Sequence, residues 1–173
     1  KKRRRRGEPL LEPIYTVQNA AEAIKRFYPV KYKESFFPVP GVEVRFFDAG
    51  HILGSAAIRL DVEEDGVHKS LWYSGDIGRY GLPLITDPVM PSDVDTLIME
   101  CTYGDMEHST VEEAYRAFSE IAVRTFKRGG KIIIPSFAVW RTQEVVYFLN
   151  QMISEGAIRS VPVYVDSPLD VEA

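Results

Sequence analysis

The sequence is poor in cysteine and histidine and has no long apolar run. Its 173 residues include one cysteine, Cys101, and three histidines, His51, His68 and His108. A single cysteine excludes an internal disulfide bond and favours a reducing compartment, so we expect a cytoplasmic protein. No apolar stretch approaches the roughly 20 residues of a membrane span, and none has the pattern of a signal peptide. The sequence therefore predicts no membrane partner.

The net charge is small, but the basic residues are unevenly distributed. The formal net charge is −4 at pH 7, and 45% of the residues are hydrophobic, which is typical of a globular domain. This charge provides no overall attraction to nucleic acid. Lys1–Arg6, however, contains six of the 21 lysine and arginine residues. Such a run is a solvated helix face, a phosphate-binding arm or a nuclear-import signal, and the sequence leaves these alternatives open.

The first half of the chain is typical of an antiparallel sheet. Thr16 is placed to cap a short helix that ends before Pro29. The apolar residues of 42–49 predict a strand that follows a proline-containing connection. Residues 56–76 alternate apolar and polar side chains on both sides of the turn signal "EEDG". This alternation predicts a β-hairpin.

The pattern changes after the short apolar strand predicted at Asp95–Glu100. From residue 109, apolar residues recur at helical spacing, and Ser109 with Glu112 forms a capping-box pattern. The glycine pair at 129–130 predicts the end of this helix.

A second strand–helix–strand pattern follows. Lys131–Phe137 and Val161–Asp166 are predicted strands, and the helical pattern of residues 141–156 lies between them. Strand, helix and strand in this order predict a parallel α/β unit.

Ionisable side chains occur where three apolar strands end: His51, Asp76 and Glu100. Two of them follow a glycine, which lets the backbone turn sharply and direct the next side chain. Sites in α/β proteins gather at such strand ends, and an imidazole with a carboxylate suits zinc. The alternatives are a packing histidine or general base at 51, a turn residue at 76 and a capping residue at 100.

Ser136 and Arg141 lie at the junction between a predicted strand and the next predicted helix. The first amides of a helix favour phosphate, which makes both residues candidate substrate-binding groups. The alternative is a helix-capping serine and a surface arginine.

Four motifs occur in order along the chain: "DAGHILGSA", "YSGDIGR", "MECTYGD" and "IIIPSFAVWRTQE". Together they give a specific resemblance to a known family. The chain resembles the metallo-β-lactamase fold nucleases with a β-CASP domain, in the branch of the pre-mRNA 3′-end cleavage endonuclease and its bacterial and archaeal relatives. The similarity extends from about Pro9 to Ala173.

The resemblance implies an α/β fold in two parts. Residues 1–101 would be the C-terminal part of a metallo-β-lactamase αββα sandwich, and residues 102–173 the start of a β-CASP βαβ domain. It also implies site roles: His51 as a terminal zinc ligand, Asp76 as the catalytic carboxylate that bridges two zinc ions, and Glu100 as the acid that orients a distant catalytic histidine.

The resemblance further implies that the parent protein is a zinc-dependent ribonuclease, which hydrolyses RNA through a hydroxide held by two zinc ions. The partners implied are RNA and either a second copy of the protein, in a homodimer, or the subunits of a processing complex. The family's HxHxDH motif is absent, the chain begins at Lys1 without methionine, and Trp140 stands where relatives often carry a small residue. We therefore expect a piece of a longer enzyme that is inactive by itself. A noncatalytic scaffold subunit is the alternative, and "TYGD" disfavours a small-molecule hydrolase.

Overall fold

The structure is a computed structural model that describes Gly7 and residues 13–167. The basic run Lys1–Arg6 lies outside the described residues. The chain divides into two compact units, residues 1–31 and residues 32–173. The division expected after residue 101, between the two partial domains, stays a prediction.

The first unit contains helix α1, Val17–Ile24. The Thr16 hydroxyl accepts a hydrogen bond from the Asn19 amide at 3.3 Å, and the Asn19 side chain accepts one from the Thr16 amide at 2.9 Å. This reciprocal capping box satisfies two amides that have no partner inside the helix, and it confirms the predicted helix start. None of the eight residues of α1 is buried.

The second unit begins with a five-stranded sheet in the order β1-β2-β3-β4-β5. Neighbouring strands are antiparallel, except that β4 and β5 are parallel. The strands are β1 (Ser35–Val39), β2 (Val42–Asp48), β3 (Ala56–Glu64), β4 (Val67–Tyr73) and β5 (Thr96–Ile98).

The predicted hairpin is confirmed. β3 pairs with β4 up to Glu64 and Val67, and the two residues between them have positive φ, 52° at Asp65 and 76° at Gly66. Positive φ at both central residues is the type I′ geometry that matches strand twist.

Strand β1 was missed, because its proline indicated a connection. Pro38 has no amide hydrogen, and a strand at the edge of a sheet needs none on its free side. The pairing with β2 is irregular between Phe36 and Val39, around Pro38.

A buried carboxylate stabilises one face of the sheet. Arg45 of β2 lies directly opposite Arg59 of β3, and like charges in this position repel. The buried Asp61 accepts hydrogen bonds at 2.9 Å from both guanidinium groups. These bonds, from Arg59 above all, hold the pKa of Asp61 below its ordinary value. The ion pair therefore converts a repulsive cross-strand pair into an attractive cluster.

Two helices follow, α2 (Val111–Lys127) and α3 (Arg141–Ser154). Their apolar faces meet in a small core whose buried members are Ala122, Leu149, Met152 and Ile158. Within the described residues, no helix is long and apolar enough to cross a membrane.

The capping box expected at Ser109 and Glu112 is wrong by one residue. The Thr110 hydroxyl accepts from the Glu113 amide at 3.1 Å, and the Glu113 carboxylate accepts from the Thr110 amide at 2.8 Å. The Arg79 guanidinium donates to the Ser109 carbonyl oxygen. The Ala114 amide donates to the Thr110 carbonyl oxygen at 3.0 Å, which is the first helical hydrogen bond and makes Thr110 the cap.

The strands expected at Lys131–Phe137 and Val161–Asp166 are not formed in the structure. Both segments line one groove of about 810 Å³ beside α3, but no ladder of hydrogen bonds joins them. Parallel strands need a hydrogen-bonded neighbour, and apolar content alone does not supply one. The described residues thus form a mixed α/β fold, while the αββα sandwich and the βαβ domain stay predictions.

A close backbone contact joins the loops that follow β2 and β4. The Gly78 amide donates to the Ala49 carbonyl oxygen at 2.7 Å. A Cβ atom on Gly78 would lie 1.6 Å from the Gly50 carbonyl oxygen, which is far inside contact distance. Only glycine at position 78 permits this approach.

Replacement of the observed cap should destabilise the protein. We expect Thr110→Val to lower the free energy of unfolding by about 1 kcal/mol, because the Glu113 amide loses its acceptor. Ser109→Ala, the matched control, should change it by less than about 0.5 kcal/mol. Urea unfolding measures both, and a larger loss for Ser109→Ala would contradict the assigned cap.

Replacement of Gly78 should be more costly than replacement of a glycine that meets a movable group. Gly78→Ala should cost about 1–3 kcal/mol, because backbone atoms must shift. Gly104 also has an ordinary φ, and a Cβ there would meet the Cys101 sulfur at 2.3 Å, but that thiol can rotate away. Unfolding free energies should therefore show the smaller loss for Gly104→Ala; equal losses would contradict the backbone constraint.

Candidate functional site

The strand directions bring the three ionisable residues to one edge of the sheet. β2 and β4 are both antiparallel to β3 and therefore run the same way, and β5 is parallel to β4. Their carboxyl ends thus lie at the same edge. His51, Asp76 and Glu100 each follow one of these ends, as the sequence predicts.

Short side chains hold the loop after β2 and leave His51 free to face solvent. The Asp48 carboxylate accepts from the Gly50 amide at 2.8 Å. The Ser55 hydroxyl accepts from the His51 amide at 3.1 Å and from the Ile52 amide at 3.2 Å. The His51 side chain is exposed, which excludes the alternative of a buried packing residue.

Glu100 joins the ends of β4 and β5. One carboxylate oxygen accepts from the Ile77 amide at 2.6 Å, and the other accepts from the Thr102 hydroxyl at 2.7 Å. The Glu100 amide donates to the Ser74 hydroxyl at 3.0 Å. Because Ile77 directly follows Asp76, the half-buried Glu100 fixes the backbone beside that exposed aspartate.

The same contacts keep Glu100 ionised. Its pKa lies below the ordinary value, chiefly because the Ile77 amide donates to the carboxylate and next because the Thr102 hydroxyl does. The imidazole of His51 also lowers this pKa, by a smaller amount, which places His51 within electrostatic reach of Glu100. His51, Asp76 and Glu100 therefore lie at one edge of the sheet and make up one candidate site.

The donor set for zinc is incomplete in the described residues. Among residues 13–167, no three His, Cys, Asp or Glu side chains are grouped so that they could hold a metal ion. Zinc takes three or four protein ligands, and His51 with Asp76 would supply two. Both oxygens of Glu100 already accept hydrogen bonds from the protein. Glu100 is thus suited to position the loops, and the described residues do not complete a zinc site.

Ser136 and Arg141 make their hydrogen bonds within their own segment. The Ser136 and Thr142 hydroxyls are 2.7 Å apart, and the Arg141 guanidinium pairs with the buried carboxylate of Glu144. Helix α3 begins after Trp140, whose φ is 76° and whose side chain makes no capping hydrogen bond. Ser136 is therefore not the helix cap. These hydrogen bonds stay within residues 136–144 and do not connect Ser136 or Arg141 to the loops that carry the three ionisable residues.

Sequence reasoning missed Thr102 and Ser55, whose hydroxyls hold the site. Thr102 lies two residues after Glu100, and Ser55 lies four residues after His51. Short hydroxyl side chains this close to a strand end commonly bond to nearby backbone groups, as Ser55 does, so its spacing was an available signal, whereas Thr102 bonds to the Glu100 carboxylate.

No family model matches the chain. It is 36% identical over 159 residues to "Ribonuclease TTHA0252" of Thermus thermophilus, which covers 91% of this chain and 35% of that protein. It is also 36% identical over 166 residues to an "RNase J-like protein" of Methanocaldococcus jannaschii, with 92% and 38% covered. The "Transcription termination factor FttA" of Methanosarcina mazei is 35% identical over 150 residues, with 84% and 23% covered.

The chain thus spans 23% to 38% of the length of these curated relatives. Their names include ribonucleases and termination factors, and the aligned part is most of this chain. These similarities identify the chain as a relative of the β-CASP-family nucleases, as its four motifs predict.

Proposed function

We propose that the whole protein to which these residues belong is a zinc-dependent ribonuclease that hydrolyses RNA phosphodiester bonds in the cytoplasm. The observation that carries the proposal is the convergence of His51, Asp76 and Glu100 at one edge of the sheet. Two relatives with ribonuclease names support RNA as the substrate. A homodimer or the subunits of a processing complex would be its protein partners.

In this proposal His51 and Asp76 are metal ligands. Asp76 is exposed and has two carboxylate oxygens, so it can bridge two cations, while His51 can bind one. Bound zinc would supply an activated water for attack on phosphorus. Since these two residues alone do not complete a zinc site, the remaining ligands would be residues of the whole protein other than those described.

Glu100 acts as a positioning residue in the same proposal. Its bond to the Ile77 amide fixes the peptide that follows Asp76, and its bond to Thr102 fixes the carboxylate itself. An ionised carboxylate in this place also favours a protonated or correctly oriented imidazole nearby. This is compatible with the role, implied by the resemblance, of orienting a catalytic histidine.

Ser136 would contact substrate phosphate only by exchanging its hydrogen-bond partner, whereas Arg141 could keep its own. Arg141 has an exposed side chain paired with Glu144, and a phosphate could take its outer N–H groups while that pair persists. Ser136 would have to turn its hydroxyl away from Thr142. We therefore place these two residues at the margin of the substrate path, where they contact phosphate but not the reacting atoms.

A second candidate is a noncatalytic scaffold subunit. The observation in its favour is the incomplete donor set within residues 13–167. Zinc content and RNA cleavage by the whole protein distinguish the two candidates, because a scaffold subunit would bind its complex without either.

The 173-residue chain should bind zinc weakly. With two candidate ligands, we expect fewer than two ions per chain, and these should be lost on dialysis. Elemental analysis before and after dialysis measures this. His51→Ala should remove the residual zinc, whereas His68→Ala, at an exposed histidine on β4, should not. Tight retention of two zinc ions would contradict the incomplete site.

Substitutions of the two acids in the whole protein should have different effects. Asp76→Asn should abolish both zinc binding and RNA cleavage, because a ligand charge is removed. Glu100→Gln keeps an oxygen for the Ile77 amide, so zinc content should survive while turnover falls roughly ten- to a thousandfold.

Zinc per chain, RNA affinity and cleavage rate should be measured on both variants. Glu107→Gln, an exposed acid in the following loop, is the matched control and should cleave normally. Loss of zinc from Glu100→Gln would show that Glu100 is a metal ligand. Normal cleavage by Glu100→Gln would show that Glu100 has no role in the reaction.

A further inference from the structure

The carboxylate of Asp48 connects the loop that carries His51 to a distant part of the chain. Asp48 is the last residue of β2, and one of its carboxylate oxygens accepts from the Gly50 amide at 2.8 Å. The other oxygen accepts from the hydroxyl of Thr86, 38 residues further along the chain, at 2.5 Å. The Asp48 carbonyl oxygen accepts from the Val89 amide at 2.9 Å. Residues 86–89 are therefore bonded to the end of β2 at two points.

The same four residues also pack against the turn at Gly50. The φ of Gly50 is 63°, and a Cβ atom there would lie 2.7 Å from the Pro88 nitrogen and 3.0 Å from the Thr86 carbonyl oxygen. Gly50 and Pro88 are both buried. The turn that precedes the exposed His51 therefore cannot move towards residues 86–89.

Ser55 holds the turn through further hydrogen bonds. Its hydroxyl accepts from the His51 amide at 3.1 Å, and its carbonyl oxygen accepts from the Ala49 amide at 3.2 Å. The Tyr32 hydroxyl donates to the same carbonyl oxygen at 2.8 Å. The backbone before and after the His51 side chain is thus fixed, although the imidazole itself faces solvent.

The bond between Asp48 and Thr86 goes beyond what a local turn requires. An aspartate commonly bonds to the amide two residues further on, and this bond alone shapes the turn. The second carboxylate oxygen of Asp48 bonds instead to a residue outside the turn. A hydrogen bond from a hydroxyl to a carboxylate is stronger than one between neutral groups. It fixes where the turn lies relative to residues 86–89, in addition to the shape of the turn.

We propose that Asp48 and Thr86 are a pair of positioning residues for His51. Thr86 fixes the carboxylate of Asp48, and Asp48 fixes the amide of Gly50, which directly precedes His51. The inference rests on the proposed function for the role of His51 in the reaction. It does not rest on that function for the way in which the turn is held.

Loss of the Thr86 hydroxyl should loosen the turn locally. Thr86→Val keeps the shape of the side chain, and in the whole protein we expect deuterium uptake by the amides of residues 49–52 to become about three- to tenfold faster, the range for loss of one hydrogen bond. Asp48→Ala should have at least this effect, and Thr86→Ser should restore the wild-type rate. Peptide mass spectrometry measures the uptake.

The neighbouring Asp87 provides the matched control. Its carboxylate accepts from the Gly81 amide at 2.7 Å, which is a bond inside its own loop. Asp87→Ala should therefore leave uptake at residues 49–52 unchanged. Uptake by helix α2 should stay unchanged in every variant, because a local change does not reach a distant helix.

The pair should affect turnover and not substrate binding. In the whole protein, cleavage of a labelled 20-nucleotide oligouridine by Asp48→Ala should show a kcat lowered about ten- to a hundredfold with KM unchanged. Thr86→Val should lower kcat about three- to tenfold, because one hydrogen bond is lost. Thr86→Ser should restore kcat, and Asp87→Ala should cleave normally.

The two measurements separate this inference from the proposed function. Unchanged uptake at residues 49–52 in both Thr86→Val and Asp48→Ala would overturn the positioning pair and leave the ribonuclease proposal standing. Faster local uptake in these variants, with no RNA cleavage by the wild type, would support the inference about the turn and contradict the ribonuclease. An equal increase in α2 would overturn the pair, because the substitutions would then destabilise the whole fold. Faster local uptake with unchanged kcat, or a raised KM with unchanged kcat, would overturn the positioning of His51.

Discussion

The contact between Gly50 and Gly78 sets the distance between two loops of the site. The carbonyl oxygen of Gly50 occupies the space in which a Cβ atom at position 78 would lie, 1.6 Å away, and the Gly78 amide bonds to Ala49 at 2.7 Å. The loop that carries His51 and the loop that carries Asp76 therefore meet through backbone atoms, which have no rotamers to adjust. Any side chain at position 78 would separate the two loops. Gly78 is thus required by packing, whatever chemistry the neighbouring side chains perform.

Glu100 connects the loop that follows β5 to the loop that follows β4 through its charged carboxylate. Its carboxylate accepts hydrogen bonds from Ile77 and Thr102, and these bonds, in that order, hold its pKa below the ordinary value. A group whose folded pKa is depressed contributes stability above its unfolded pKa and loses it as the pH falls through the folded pKa. Protonation of Glu100 in acid should therefore weaken its bonds to the Ile77 amide and the Thr102 hydroxyl.

Local patterns predicted the elements whose partners are near in sequence. The hairpin with Asp65 and Gly66, the helices and the three strand ends are of this kind. Most of the predictions that failed concern segments whose structure depends on contacts with residues far away in sequence. Pro38 hid an edge strand, and the segments at 131–137 and 161–166 have strand composition but no ladder. The cap is Thr110 and not Ser109, because Thr110 and Glu113 make the reciprocal bonds of the capping box, and "STVEE" offers the capping pattern in two registers that differ by one residue. At the site, the residue types predicted that His51, Asp76 and Glu100 lie at one edge of the sheet. They did not predict that both carboxylate oxygens of Glu100 accept hydrogen bonds from the protein.

The distribution of charge places a requirement on any RNA substrate. A strand that approached Asp76 and Glu100 would meet a unit with 22 acidic and twelve basic residues, and this unit repels phosphate. The two ways to overcome such repulsion are bound cations beside the carboxylates and basic side chains that hold the strand elsewhere. In the proposed ribonuclease, His51 and Asp76 would provide part of the first. The first 31 residues contain nine basic residues and three acidic ones, so their net charge has the sign that the second requires. An acidic majority in residues 32–173 and a basic excess before them would therefore complement each other if RNA is the substrate, because cations beside the carboxylates and basic side chains lower the same repulsion.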